Sequence, residues 1–451
     1  MPRSAAFVIP LLVAATAGAS FVAWQEHTQL DSQASELRKS ALLASDNDAL
    51  RDALAAAQLD ASNTRNVLRR SHIERDVSSI RDLAFSSPVT YDVLDRASIR
   101  QVVAAKLSEQ YTDQEISNMS TGLAAFGLLP PHFPLKQTYI DLLGEQIGAF
   151  YDQHQHKLFM YRDATLENAE NRVILAHELT HALQDNNFGL LKLPLEVKNN
   201  DDQAEAASAL VEGDATLVMT QYMARDLTWR TFTDTVTYSV TQRMDQIRKA
   251  PHYLREMLVF PYLKGQQFCA AIYARGGFPA LSAVYANPPA STAQILHPEK
   301  YFPETREDPI PITFPDTTFQ GERPLDDNVL GEMGTRLLFS QYVDADTAES
   351  EAAGWRGDRY LVFDRGTSLV WISLWRSSEA AAAAEAALEA MCGRRFHLTF
   401  PSSGEDVSSS GDPAHSVRIH LLGANEVVFI LAPNRESVRL LHEQFAGASH
   451  G

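Results

Sequence analysis

The chain runs to 451 residues, 45% hydrophobic and 21% charged with 9% aromatic side chains, a composition that excludes a disordered, collagenous or polytopic membrane protein. Its 39 basic against 57 acidic residues leave a net charge of −18, which argues against a general nucleic-acid binder, because neutralising phosphates needs a basic face. Cys269 and Cys392 are the only cysteines; they exclude a disulfide scaffold, a thiolate zinc site and a CxxC redox pair, and are read as inert buried thiols or as one pair formed in an oxidising compartment.

At roughly 100–200 residues per domain the length predicts two or three folding units. After Arg3 come 22 uncharged residues, Ser4–Gln25, enough to reach across most of a hydrocarbon core of about 30 Å. Residues 1–24 therefore read as a signal sequence or membrane anchor, and the protein as exported. Ala17-Gly18-Ala19 permits cleavage and secretion, whereas the apolar run continuing through Phe21, Val22, Ala23 and Trp24 favours an uncleaved anchor facing the periplasm or cell exterior. Residues 25–85, rich in Ala, Leu, Glu, Arg and Gln and without Pro or Gly, predict a helical stalk. Leu30 and Leu37, and Leu43 and Leu50, recur at seven but stand among polar and alanine positions, so self-association through the stalk has only a weak heptad behind it.

Residues 86–135 read as a strand and two helices leading into a catalytic unit. Two short runs, Ile147–Tyr151 and Lys157–Tyr161, flank a polar turn holding His154 and His156 and predict a β-hairpin with exposed, structural turn histidines. Next comes RVILAHELTHALQDN at 172–186. His177 and His181 lie four apart on one helical face, so both imidazoles reach one zinc ion, and Glu178 beside them is placed to take a proton from a metal-activated water. The flanking residues are apolar, and a helix burying two histidines and a glutamate without a partner would be costly. A third protein ligand is required. On the next predicted helix, DDQAEAASALVEGDATL at 201–217, Glu205 and Glu212 stand seven apart on one face, and either closes the triad.

HELTH followed on the next helix by xEGxA resembles the gluzincin metallopeptidases, the thermolysin-like and peptidase MA-like clan, over about residues 140–220. The third-ligand helix departs from the thermolysin NExxSD form. The resemblance implies a mainly helical zincin-like unit with an edge β-hairpin, one Zn2+ per chain held by His177, His181 and Glu212, and Glu178 as general base. It also implies that Gly148–Tyr151 lines a cleft where a peptide substrate adds as a strand. Asp185, Asp202, Glu205 and Asp214 are candidates for orienting the histidines, with Glu205 preferred. Gluzincins supply a downstream His or Tyr to the developing oxyanion, and His297 and Tyr301, beyond helical stretches broken at Gly276-Gly277 and Pro288-Pro289, are the candidates here.

The Pro- and acid-rich stretch 303–326 reads as a boundary. Beyond it a helix near 329–341, strand-like runs at 359–364, 368–374, 397–400, 416–421 and 426–431, and helices at 378–391 and 435–446 predict a small α+β domain that shapes the cleft or meets a partner. The letters RGD within 354–360 are too short a match to mean adhesion. The expected chain is thus α+β: N-terminal segment 1–24, stalk 25–85, zinc metallopeptidase-like domain 86–315 and C-terminal domain 316–451. Its expected chemistry is zinc-dependent hydrolysis of peptide bonds in a protein or peptide substrate. A non-catalytic membrane-anchored binding module on a zincin core, and a zinc amidase acting on a cell-wall bond, are the alternatives.

Overall fold

The computed structural model describes residues 47–95, 98–146, 149–162, 164–226, 249–363, 366–400, 415–447 and 449–450. The N-terminal segment, residues 25–46 of the expected stalk and Ile147-Gly148 of the hairpin lie outside them. Among the described residues no helix is long and apolar enough to cross a membrane.

The first helix, α1 (Asn47–Arg81), is an uninterrupted run of helix formers. Its C-terminal part is not a free stalk. Ile73, Val77, Ile80 and Arg81 fall on one face and are buried; the three apolar ones join the main hydrophobic core, and the helix packs against the two helices that carry the metal-site motif. Then come β1 (Thr90–Leu94), α2 (Ile99–Gln110), α3 (Asp113–Phe126) and α4 (Leu135–Gln146). The start of α3 is fixed by a capping box in which Thr112 and Glu115 satisfy each other's backbone N–H groups.

The expected hairpin is present as β2 (Ala149–Asp152) and β3 (Lys157–Tyr161), paired antiparallel, and β1 adds to β3 in parallel. The strand order β1-β3-β2 leaves β2 at the edge. Beside it lies α5 (Ala169–Phe188), started by the Asn168 side chain accepting from Glu170 N. Every residue from Val173 to Asp185 is buried, which is why no amphipathic stripe marks this helix in the sequence. It packs on α6 (Asp201–Asp226), which in turn runs against α7 (His252–Val284), kinked at Gly276-Gly277 as the sequence predicts. The α6–α7 crossing is backbone on backbone: a methyl on Gly213 would come within 2.2 Å of the Gly265 carbonyl.

Short helix α8 (Thr292–Leu296) and strand β4 (Ile312–Thr313) lead into the C-terminal part: β5 (Asp326–Asn328), α9 (Gly331–Phe339), α10 (Ala345–Ala352), β6 (Trp355–Phe363), β7 (Ser368–Trp375), α11 (Ser378–Phe396), β8 (Ser416–Leu422), β9 (Glu426–Ala432), α12 (Arg435–Phe445) and β10 (Ser449–His450). Strands β5-β6-β7-β9-β8 form an antiparallel sheet in that order. Both faces are covered, so its central strands read as continuous apolar runs rather than alternating ones. Leu361, Val370, Ile372 and Ile430 face Val438 and Leu441 of α12 in a separate small core, while Tyr360, Trp371 and Phe429 face the main core. Phe126 of α3 sits edge-on to Tyr360 and Trp371 at 5.0 and 5.6 Å, so the expected boundary near 316 is not a break in packing.

The architecture is mixed α+β, as expected. Residues 397–400 are not the expected strand, because His397 adopts a left-handed conformation (φ 55°) and caps α11; α10 was not anticipated. Both cysteines are free and buried. Burial raises both thiols, Cys392 to about 12, which makes them poor nucleophiles.

Candidate metal centre

Helical spacing brings His177 and His181 of α5 over Glu212 of α6. The His177 and His181 Nε2 atoms are 3.0 Å apart, and Glu212 Oε2 lies 3.1 Å from the first and 3.5 Å from the second. All three side chains are buried, and one ligand atom from each falls within 4.8 Å of the others, an arrangement able to hold a metal ion. Around a tetrahedral zinc with bonds of about 2.0–2.1 Å, neighbouring ligand atoms stand roughly 3.3 Å apart. The donor set therefore fits such an ion in both chemistry and spacing.

The charges inside the triad answer one another. Burial alone would raise the Glu212 carboxyl, but the His181 charge and hydrogen bonds from both imidazoles outweigh it and hold the group at about 2. Burial opposes the charge on His181, yet the Glu212 and Glu178 carboxylates raise it to about 9. For His177 burial wins and the imidazole is held below its usual value. Glu178, fully buried, is pushed up to about 8. Its Oε2 accepts the Tyr151 N–H of edge strand β2 at 2.8 Å, and its Oε1 has no partner among the described residues. The hairpin thus meets the HExxH helix at the residue expected to act as base.

Of the four acids proposed to orient the histidines, none touches them directly. Asp185 accepts from Tyr151 Oη and pairs with His156 Nδ1, both at 2.7 Å, and accepts Leu190 N at 3.0 Å; it pins the hairpin to α5. Asp202 accepts both the backbone N–H and the hydroxyl of Thr292. Glu205 is buried and apart from the triad, its carboxyl raised well above the usual range by burial and by Asp201 and Asp202. Asp214 reaches His181 through Gln184: the Gln184 amide donates to Asp214 Oδ2 at 3.2 Å and faces His181 Nδ1 with its oxygen at 2.8 Å. Sequence reasoning missed Gln184, although its place one turn after His181 was the available signal.

His297 and Tyr301 spend their polar ends elsewhere. His297 Nε2 is 2.6 Å from Glu332 Oε1, and the Tyr301 hydroxyl donates to the Asn287 carbonyl at 2.7 Å. The aromatic ring beside the triad is instead that of Tyr262 on α7, 6.1 Å from the His177 ring between centroids. His154 faces Glu196 at the surface, consistent with a structural turn.

The profile of a family described as a domain of unknown function (DUF8575) matches residues 318–442, essentially the five-stranded sheet and its helices. No curated protein and no solved structure matches the chain.

Proposed function

We propose that the chain is a zinc-dependent metallopeptidase of gluzincin type, held at a membrane or secreted through its N-terminal apolar segment. The observation that carries this reading is the buried His177–His181–Glu212 triad with Glu178 alongside. Zinc held by those three side chains would polarise a scissile carbonyl and make a water acidic enough to ionise near neutral pH. Glu178 is the proton carrier. One carboxyl oxygen is anchored by the Tyr151 N–H and the other has no partner among the described residues, and burial tunes the group upward so that it both takes a proton and returns one to a leaving amine. A cation beside it pulls that value back toward neutrality.

Edge strand β2, whose Tyr151 N–H already meets the base, is the element beside which an extended peptide substrate would lie. Tyr262 replaces His297 and Tyr301 as the candidate donor to the developing oxyanion, on its position beside His177.

The test uses the full chain, zinc-loaded, against a degenerate peptide library, with Glu178→Gln beside the wild type. The variant is expected to keep one zinc per chain and to lose roughly a hundred- to ten-thousandfold in turnover. Full turnover by Glu178→Gln overturns the mechanism. Zinc uptake without any cleavage by the wild type shifts the reading to the non-catalytic binding module.

A further inference from the structure

Behind His181 lies a line of buried polar side chains that ends on α1. The Arg81 guanidinium, wholly buried, donates through Nε to Asp214 Oδ1 at 2.8 Å and Oδ2 at 3.0 Å, and through Nη1 to Ser282 Oγ at 3.0 Å. The rings of Phe278 and Phe188 stand 4.9 and 5.8 Å from its central carbon. Asp214 Oδ2 also accepts from Tyr285 Oη at 2.8 Å and from Gln184 Nε2 at 3.2 Å. The same Gln184 nitrogen donates to the Val211 carbonyl at 2.9 Å.

These partners decide which way the amide points. A carbonyl, and a carboxylate paired with a guanidinium, only accept, so the NH2 group of Gln184 must face Val211 and Asp214. Its oxygen must then face His181, 2.8 Å from Nδ1, and Nδ1 must carry a hydrogen. That leaves Nε2, directed at His177 Nε2 and Glu212 Oε2, as the nitrogen that would give up its proton and offer its electron pair to a metal.

We propose that Arg81, Asp214 and Gln184 are positioning residues that fix the tautomer and ring orientation of His181 for a metal, making α1 a working part of the metal centre. The inference rests on the metal reading above. It gives a role to a fully buried arginine that lies 133 positions from its carboxylate partner in the chain and that a helix serving only as a stalk would not need. Each link is desolvated, so the line is not screened by solvent and each side chain has one satisfactory orientation.

The experiment uses the full chain and two readouts other than turnover: the zinc dissociation constant by chelator competition, well below the melting temperature, and the 15N-edited spectrum of the zinc-loaded protein. The wild type is expected to show a protected His181 Nδ1 proton. Its absence, with Nε2 protonated instead, overturns the relay without any variant. Gln184→Met is expected to lose that proton signal and to bind zinc about 10- to 100-fold more weakly, as other histidine-orienting groups do. Arg81→Met combined with Asp214→Leu removes both charges together, so that no unpaired ion stays buried; it is expected to weaken zinc severalfold and to speed exchange of the Nδ1 proton. Folded variants with wild-type zinc affinity and exchange overturn the relay while leaving the triad intact. A wild type that takes up no zinc ends the metal reading, and the relay with it.

Discussion

Two buried polar centres flank α6, and they are built on opposite plans. At the N-terminal end of the helix, Asp358, Glu332 and Asp202 are held by fixed donors. Asp358 accepts from Trp355 Nε1, Trp371 Nε1, Leu330 N and Gly331 N, all at 2.8–2.9 Å. Glu332 faces His297 at 2.6 Å and Lys300 at 3.0 Å, and Asp202 accepts twice from Thr292. Two turns beyond Glu205, by contrast, His177, His181 and Glu212 turn two imidazole nitrogens and a carboxylate oxygen toward one another at 3.0–3.5 Å. A carboxylate held by several fixed donors is a structural joint, whereas two imidazole nitrogens and a carboxylate oxygen converging on one point can exchange the protons they share for a cation. The first centre ties the helical unit to the C-terminal sheet; the second is the candidate metal site. The same count explains why the RGD letters carry no adhesive meaning here: Asp358 is 3% exposed and fully engaged.

The largest expected effect breaks the second centre alone. If structural-type zinc binding is worth roughly 10–16 kcal/mol over four ligands, each contributes about 2.5–4 kcal/mol, or roughly two to three powers of ten in affinity. Glu212→Ala should therefore lower zinc affinity by that factor, measured by elemental analysis and chelator competition, with little change in the melting of the metal-free chain. Zinc retained at wild-type affinity would remove Glu212 from the site.

Asp358→Ala should do the reverse. It strands two indole and two backbone N–H groups in the interior, which we expect to cost about 3 kcal/mol of stability by denaturant titration. Zinc affinity of the remaining folded protein should stay within about twofold, because among the described residues no hydrogen bond links the first centre to the triad atoms. A parallel loss of zinc would show that the two centres are one.

A smaller effect is expected where α6 and α7 cross. Gly213 follows Glu212, and an added Cβ would come 2.2 Å from the Gly265 carbonyl carbon and oxygen. Gly213→Ala should cost about 2 kcal/mol by overpacking and displace α6 enough to weaken zinc as well. A variant that loses stability while keeping its zinc affinity would show that the triad tolerates movement of its third ligand.

The sequence made the second centre legible because its chemistry is local. Histidines four apart on one helix fix their own geometry, and the small residue after Glu212 announces a close helix crossing. The edge hairpin, the kink at Gly276-Gly277 and most C-terminal elements were legible for the same reason, being set by turn chemistry and short apolar runs. Long-range partners were not. Arg81 looks like one more cation on a helix rich in them, and only folding shows it buried against Asp214. His297, beside Pro298, looked like a positioned donor, and its partner Glu332 sits 35 residues on. The apparent stalk misled because α1 is read correctly as a helix, while its buried face spans only its last turns.

Glu205 belongs to neither plan, and gives the smallest and last test. It is 1% exposed, and neither carboxyl oxygen has a hydrogen-bond partner among the described residues. Burial first, then the Asp201 and Asp202 charges, raise it well above 4.5, so the folded chain keeps a proton that the unfolded chain releases near its ordinary value. The stability this contributes is fully present below the unfolded pKa of about 4.3 and is lost as pH rises through the raised folded value. Glu205→Gln preserves the shape and removes the titration. The variant should melt with the wild type at pH 4 and be more stable than it at pH 8, with zinc affinity unchanged at either pH. A variant less stable than the wild type at pH 8 would mean that Glu205 is ionised and paired in the fold. Loss of zinc would instead bring it into the triad, merging the third carboxylate with the metal centre that Glu212 is expected to complete.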